Sequence, residues 1–119
     1  METITVAGSV PVSYNLGPFQ RIPPGEGRVF RVRDSEVAIF RTRSGQIFAT
    51  QSTCPHRGGP LADGLIGNGK VVCPLHSYVF DLATGQSSES ACPHLRTYPV
   101  ALNAAGEILL TLAEKAGNI

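Results

Sequence analysis

Four residues near the middle of the chain could bind a metal. Cys54 and His56 form a C-x-H pair, and Cys73 and His76 form a C-x-x-H pair further along. Each pair supplies one thiolate and one imidazole, the side chains that hold iron–sulfur clusters and tetrahedral Zn²⁺ in proteins. The spacing therefore predicts a metal site that is built from two loops, with these four residues as its ligands.

A [2Fe–2S] cluster suits this ligand set if Cys54 and Cys73 hold the inner iron and His56 and His76 hold the outer iron. Two thiolates balance the charge of the oxidised core, so the site would be neutral when oxidised and singly negative when reduced. Four thiolates would leave the site doubly negative before any electron arrives. Ligation by two imidazoles therefore raises the reduction potential, into a range of about −150 to +300 mV.

A structural zinc site in a non-redox interaction module is the alternative, because two Cys and two His also suit tetrahedral Zn²⁺. Gly58, Gly59 and Pro60 favour the iron–sulfur cluster, since glycine lets backbone amides approach the sulfides closely. Pro55 and Pro74, each directly after a ligand Cys, stiffen both loops. Colour separates the two cases, because Zn²⁺ is colourless.

These motifs resemble the Rieske-type [2Fe–2S] ferredoxin family, which implies an electron carrier with one such cluster per chain. In high-potential members, extra Cys residues in the ligand loops form a disulfide, and Ser and Tyr hydroxyls donate to the cluster sulfurs. The positions that correspond to the extra Cys residues hold Gly59 and Leu75, and those of the hydroxyls hold Tyr78 and Phe80. The resemblance therefore implies a low potential for a Rieske centre.

Further stretches resemble the small subunit of assimilatory NAD(P)H-dependent nitrite reductase, namely residues 15–27, 54–61, 81–85 and 96–100. This resemblance implies a large partner subunit with flavin and sirohaem, which reduces nitrite to ammonium in nitrogen assimilation. It also implies no catalytic site in this chain. The chain differs from that subunit in two respects. Residues 93–95 look like an insertion, and the chain has no Trp. A freestanding Rieske ferredoxin serving a ring-hydroxylating dioxygenase is therefore the alternative.

Short strands and turns dominate the pattern, which predicts an all-β, antiparallel sandwich or barrel in one domain, residues 1–119. Residues 51–86 are predicted to form a small inserted subdomain that binds the cluster. Glycines in 64–69 suggest a loop there. The predicted strands cover residues 29–33, 36–40, 46–50, 70–72, 78–81, 97–102 and 107–112, with the last two paired and 113–119 a loosely held tail.

Charge and hydropathy exclude several classes of function. A net charge of +1 gives no argument for nucleic acid or membrane binding. The first residues lack the features of a signal peptide, and no run approaches the ~20 apolar residues of a membrane span. We therefore expect a cytoplasmic protein.

Seven of the ten basic residues lie between Arg21 and Arg57. Most are predicted on the solvent side of strands, such as 31, 33, 41 and 43, whereas Arg57 must lie near the cluster.

Cys92-Pro93-His94 repeats the start of the first ligand motif. Three Cys and three His in the whole chain leave only two possible ligands once four are assigned, too few for a second metal site. We expect residues 91–99 to form a loop close to the cluster, with Cys92 as a buried, inert thiol.

Overall fold

Short β-strands make up most of the protein. The computed structural model describes residues 9–55, 59–74, 78–88 and 93–115, and these contain no α-helix, only 3₁₀ turns at Phe19–Arg21 and Leu61–Asp63. All of the strand pairs are antiparallel, so the all-β prediction is confirmed. The strands are β1 Ser9–Pro18, β2 Glu26–Val32, β3 Ser35–Arg41, β4 Ile47–Gln51, β5 Leu65–Gly67, β6 Lys70–Val72, β7 Val79–Asp81, β8 Thr97–Tyr98, β9 Val100–Leu102 and β10 Glu107–Lys115.

Two sheets form the body of the fold, one in the order β1-β10-β9 and the other in the order β2-β3-β4-β8. Strand β10 buries Ile108, Leu110 and Leu112, because every second side chain of a strand points to the same face. These residues meet side chains of the other sheet in what we call the sheet core. Its buried members are Ile22, Val32, Val37, Ile39, Ala49, Ile108, Leu110 and Leu112.

Strand β3 is buried on both faces. Val37 and Ile39 belong to the sheet core, whereas Ala38 and Phe40 lie on the opposite face in a second core. We call this second core the site core, and its buried members are Ala38, Phe40, Cys54, Leu61, Val71, Cys73, Phe80, Leu82 and Leu95. Burial on both faces explains why this strand is a continuous apolar run rather than an alternating one.

A third sheet, in the order β5-β6-β7, lies in the chain between β4 and β8. The loop prediction for residues 64–69 was wrong, because β5 and β6 form a hairpin there. Asn68 and Gly69 make its turn with φ values of 52° and 73°. Positive φ at both central residues is typical of a two-residue hairpin turn, and Asn-Gly is its strongest sequence signal.

The predicted pairing of residues 97–102 with 107–112 is only half right. Strand β9 does pair with β10, with Leu102 opposite Ile108. Strand β8, however, belongs to the other sheet, where Tyr98 lies opposite Ala49 of β4. Pro99 separates β8 from β9 and has no N–H to donate to a ladder. Residues 97–102 therefore connect the two sheets.

Strand β1 was not predicted, although it pairs with β10 along most of its length. Pro11 and Pro18 interrupt its pattern, and proline is tolerated because β1 is an edge strand. Its pairing extends to Ser9 opposite Lys115. The prediction of a loose tail from residue 113 was therefore wrong at its start, and residues 116–119 lie outside the described ranges.

The arginines of β2 and β3 do not all face solvent as predicted. Arg31 is exposed and pairs with Glu36 at 3.2 Å. Arg41 is half-buried, however, and its guanidinium lies 4.1 Å from the ring centroid of Phe19. It also donates a 2.8 Å hydrogen bond to the carbonyl of Ile22. Arg41 therefore stabilises the chain between β1 and β2, while Arg57 lies outside the described residues.

Candidate metal centre

The two predicted ligand loops close in the same way. The backbone N–H of Cys54 donates to the carbonyl of Gly59 at 2.7 Å, and that of Cys73 donates to the carbonyl of Tyr78 at 2.8 Å. In each loop the partner is the fifth residue after the cysteine. Each cysteine therefore begins a loop of equal length that folds back on itself.

Strand pairs hold the bases of both loops. Thr53 and Pro60 form an isolated antiparallel bridge at the base of the first loop. Val72 of β6 and Val79 of β7 occupy the same positions at the base of the second loop. Both cysteines are thus fixed at the start of a hairpin, the second on the small sheet and the first directly after β4.

Cys54 and Cys73 come together in the site core. Their exposed fractions are 3% and 1%, and both pack among apolar side chains. Both are thiols rather than half-cystines. Leu61 follows the first loop, and its N–H donates to the carbonyl of Ser52 before the loop, at 3.1 Å. The fold therefore brings the cysteine of the C-x-H pair and the cysteine of the C-x-x-H pair into a common apolar environment.

His56 and His76 lie outside the described residues, so their placement as ligands stays a prediction. In sequence, His56 falls between Cys54 and Gly59, and His76 falls between Cys73 and Tyr78. The described residues do not by themselves contain a group of three or more His, Cys, Asp or Glu that could hold a metal. A site with three or more such ligands must therefore draw on residues outside the described ranges, and His56 and His76 are the predicted ones.

The described part of the site fits a [2Fe–2S] cluster. Two buried thiols would supply the sulfur ligands, and the apolar core around them excludes water from one side of the site. No charged side chain is buried among the described residues, so no buried charge there opposes a ligand set whose two thiolates neutralise an oxidised cluster core.

A third segment completes the wall of the site core. Leu95 is 4% exposed and packs in the same core as the two cysteines. Its N–H donates to the carbonyl of Gly85 at 2.7 Å. His94, its neighbour, is exposed, and Cys92 lies outside the described residues. The prediction that Cys92 is buried is therefore untested.

Asp81 organises the turn that follows the second loop. Its Oδ1 accepts hydrogen bonds from the N–H groups of Ala83 at 2.9 Å and Thr84 at 3.1 Å. Its Oδ2 lies 3.5 Å from the ammonium of Lys70. The hydrogen bond from the Thr84 N–H, aided by those from Ala83 and by Lys70, holds the pKa of Asp81 below its ordinary value.

Three residues that support the site were not individually predicted to do so from the sequence, namely Gln51, Asp81 and Leu95. An Asp at the end of a strand, four residues before a Gly, is a turn signal that could have identified Asp81. For Gln51 the only available signal is its position three residues before a proposed ligand. Leu95 belongs to residues 91–99, which were predicted to lie close to the cluster, and its packing in the site core with both cysteines agrees with that prediction.

Among the described residues, no helix has both the length and the apolar character that a membrane crossing requires.

Comparison with known proteins identifies the family. The family model for the Rieske [2Fe–2S] domain matches residues 13–101. A ferredoxin component of naphthalene 1,2-dioxygenase/salicylate 5-hydroxylase systems from a Ralstonia species is 32% identical over 80 residues. That match covers 66% of this chain and 76% of the relative.

Two solved structures extend the comparison. A protein from Mycobacterium tuberculosis, assigned as an NADH-dependent nitrite reductase small subunit, superposes with a TM-score of 0.79. The superposition covers 87% of this chain and 96% of that one, at 23% identity, which is a likeness of fold. The ferredoxin of carbazole 1,9a-dioxygenase from Nocardioides aromaticivorans has a TM-score of 0.74. It is 27% identical, with coverage of 82% of this chain and 95% of that one.

The family decides between the two cofactors that the ligand types allowed, because its domain carries a Rieske-type [2Fe–2S] cluster rather than zinc. The chain belongs to the Rieske [2Fe–2S] domain family, and it is an electron-transfer protein.

Proposed function

We propose that this chain is the electron-carrying small subunit of an NAD(P)H-dependent nitrite reductase, with Cys54, His56, Cys73 and His76 as the ligands of one [2Fe–2S] cluster. In this proposal residues 1–119 act as a single Rieske domain. Its large partner subunit, with flavin and sirohaem, carries out the reduction of nitrite. This chain passes single electrons and has no catalytic site.

The ligand assignment is supported mainly by one observation, which is that the loops after Cys54 and Cys73 are closed by the same backbone hydrogen bond. Cys54 and Cys73 each donate a backbone N–H to the carbonyl five residues ahead, and both side chains are buried in the site core. His56 and His76 fall within the spans that these bonds close. When bound, a Rieske cluster stores one electron at a potential that imidazole ligation raises.

The chain's own residues hold the cysteines and keep water from them. Phe40, Phe80 and Leu61 are fully buried beside the cysteines, so one side of the site is closed by close-packed apolar groups. The paired bases of the loops, Thr53 with Pro60 and Val72 with Val79, restrict movement of the cysteines. Small movement between oxidised and reduced states favours rapid electron transfer.

An exposed apolar side chain lies at the same end of the small sheet as the second loop. Leu65 is 77% exposed and pairs with Val72, the residue directly before Cys73. Pro60 and Pro74, beside the two loops, are also exposed. Each of the three, or its strand partner, is close in sequence to a proposed ligand. We place the partner's contact surface here.

Two stretches support nitrite reductase as the complex. Residues 15–27 form the end of β1, the first 3₁₀ turn and the start of β2, and residues 96–100 join β8 to β9. Both resemble the nitrite reductase small subunit and lie outside the ligand loops. The shared fold over 87% of this chain is compatible with that assignment.

A second candidate is a ferredoxin that reduces a ring-hydroxylating dioxygenase. The 32% identity to the Ralstonia ferredoxin component and the 27% identity to the Nocardioides ferredoxin favour it. Both candidates share the cluster and the one-electron step, and they differ in the partner that accepts the electron.

Stopped-flow mixing tests the proposal. The chain is reduced and mixed, without air, with a sirohaem-containing nitrite reductase large subunit or with a Rieske-type ring-hydroxylating oxygenase. Visible absorbance follows its reoxidation. We expect fast reoxidation by the nitrite reductase subunit and slow reoxidation by the oxygenase. The reverse order would replace the first candidate by the second.

A further inference from the structure

Gln51, the last residue of β4, connects the first ligand loop to the segment that precedes β8. Its side-chain Nε2 donates to the carbonyl of Thr53 at 2.8 Å. Its Oε1 accepts from the backbone N–H of Arg96 at 2.7 Å. A single side chain thus binds two parts of the backbone that are far apart in sequence.

The Thr53 carbonyl belongs to the same peptide group as the Cys54 N–H. That N–H donates to the carbonyl of Gly59 at 2.7 Å. The Thr53 oxygen, at the opposite edge of the same planar peptide group, accepts from the side chain of Gln51. Both polar ends of this peptide group are therefore fixed. Because a peptide group is planar and rigid, fixing both ends restricts the direction in which the Cys54 side chain leaves the backbone.

The other half of the connection reaches the segment that carries Leu95. The backbone N–H of Gln51 donates to the carbonyl of Arg96 at 2.9 Å, which complements the bond from the Arg96 N–H to Oε1. Leu95, directly before Arg96, packs in the site core with Cys54 and Cys73. Gln51 therefore links two walls of the same site core.

We propose that Gln51 is a positioning residue of the metal centre, which holds the Thr53–Cys54 peptide against residues 95–96 through its side-chain amide. Its side-chain amide binds the backbone groups of Thr53 and Arg96. The proposal rests on Cys54 being a ligand and is independent of which partner receives the electron.

Two substitutions separate the two halves of the side chain. Gln51→Glu keeps an acceptor for the Arg96 N–H but has no N–H to donate, and its carboxylate faces the Thr53 carbonyl oxygen. Gln51→Met has a similar length and provides neither a strong donor nor a strong acceptor. Gln20→Met is the control, because Gln20 is exposed on the first 3₁₀ turn.

Hydrogen–deuterium exchange of the cluster-loaded protein, read residue by residue by mass spectrometry, gives the test. We expect the Cys54 amide to exchange about five-fold faster in Gln51→Glu and in Gln51→Met, since each variant loses one hydrogen bond to this peptide. The Arg96 amide should exchange faster only in Gln51→Met. Amides of β3 should not change in either variant, and the Gln20→Met protein should match wild type at all positions.

Electron paramagnetic resonance of the reduced variants provides the second measurement. A less restricted Cys54 should broaden the spectrum of Gln51→Met relative to wild type and to Gln20→Met. The proposal is overturned if the exchange rate of the Cys54 amide or this spectrum is unchanged in Gln51→Met. It is also overturned if the exchange of the β3 amides accelerates as much as that of Cys54, because the variant would then have lost stability in general. A wild-type protein without a cluster would instead contradict the ligand assignment.

Discussion

Gly85 and Leu95 lie backbone against backbone. The Leu95 N–H donates to the Gly85 carbonyl at 2.7 Å, and a β-carbon built on Gly85 would overlap the Leu95 carbonyl oxygen. Gly85 also has a φ of 79°, which side-chain-bearing residues rarely adopt. Glycine at this position therefore allows the turn after the second ligand loop to contact the segment that closes the site core.

Gly85→Ala should lower the free energy of unfolding by about 3 kcal/mol, because it adds both backbone overlap and the strain of a positive φ. The displaced Leu95 should also loosen the site core and shorten the lifetime of the cluster. Urea unfolding, together with loss of visible absorbance in the presence of an iron chelator, measures both effects.

Gly106→Ala is the matched control. Gly106 has nearly the same φ, 78°, but no heavy atom lies within 4 Å of a β-carbon built there. It should cost only the conformational strain, about 1 kcal/mol. Equal losses in the two variants would show that the contact with Leu95 contributes nothing.

Asp81→Asn should remove part of the acid sensitivity of the fold. The pKa of Asp81 is lowered in the folded protein, first by the hydrogen bond from the Thr84 N–H. A carboxyl group with a lowered folded pKa stabilises the protein above its unfolded pKa, and this stabilisation is lost as pH falls through the folded pKa. Asn can still accept bonds from Ala83 and Thr84 but cannot titrate.

The comparison is made by urea unfolding from about pH 7 to about pH 2, because the stabilisation is lost mainly below the unfolded pKa of Asp, about 3.9. The wild-type advantage over Asp81→Asn should shrink as the pH falls. Asp81→Ala, which also loses both backbone hydrogen bonds, should be less stable than Asp81→Asn throughout. A difference between wild type and Asp81→Asn that does not vary with pH would contradict the lowered pKa.

His76→Cys tests the charge argument for the proposed ligands. Replacing a neutral imidazole by a thiolate adds negative charge, so the reduction potential should fall towards the value of about −400 mV found in clusters with four cysteines. Direct electrochemistry of the loaded variant measures this. An unchanged potential would mean either that His76 is not a ligand or that ligand charge does not set the potential.

The Leu65→Ser variant should bind the redox partner at least about five-fold more weakly if the proposed contact surface is correct. Leu65 is 77% exposed, so stability and potential should remain at wild-type values. Leu102→Ser provides the control, since Leu102 is 36% exposed on β9, whose sheet contributes no member of the site core. If the affinity for the partner falls equally in both variants, Leu65 is not part of the contact surface.

The sequence predicted the fold where periodicity is local and unambiguous. The apolar run of β3 and the turn at Ser44-Gly45 before β4 are short-range patterns, and both appear in the structure. Strand β1 was missed because its prolines hide the alternation, and only its pairing with β10 makes it a strand. The division of residues 97–102 between two sheets likewise depends on tertiary contacts that no local pattern encodes.

The two cysteines of the candidate site were predictable from the sequence, whereas the side chains that support them were not. Thiol and imidazole chemistry restricts the metal ligands to few residue types, so Cys54 and Cys73 could be named from spacing, and the fold brings them together. The roles of Gln51 and Leu95 arise from hydrogen bonds and packing between segments distant in sequence. Common residue types give no signal for such roles.

We infer that two thiolates and two imidazoles hold one [2Fe–2S] cluster in this chain. Electron paramagnetic resonance of the anaerobically reduced protein, combined with iron and acid-labile sulfide analysis, tests it most directly. We predict two irons and two sulfides per chain, with an average g value clearly below that of a cluster with four cysteines. A protein prepared with ample iron that contains neither iron nor sulfide, or one with the four-cysteine spectrum, would contradict the account.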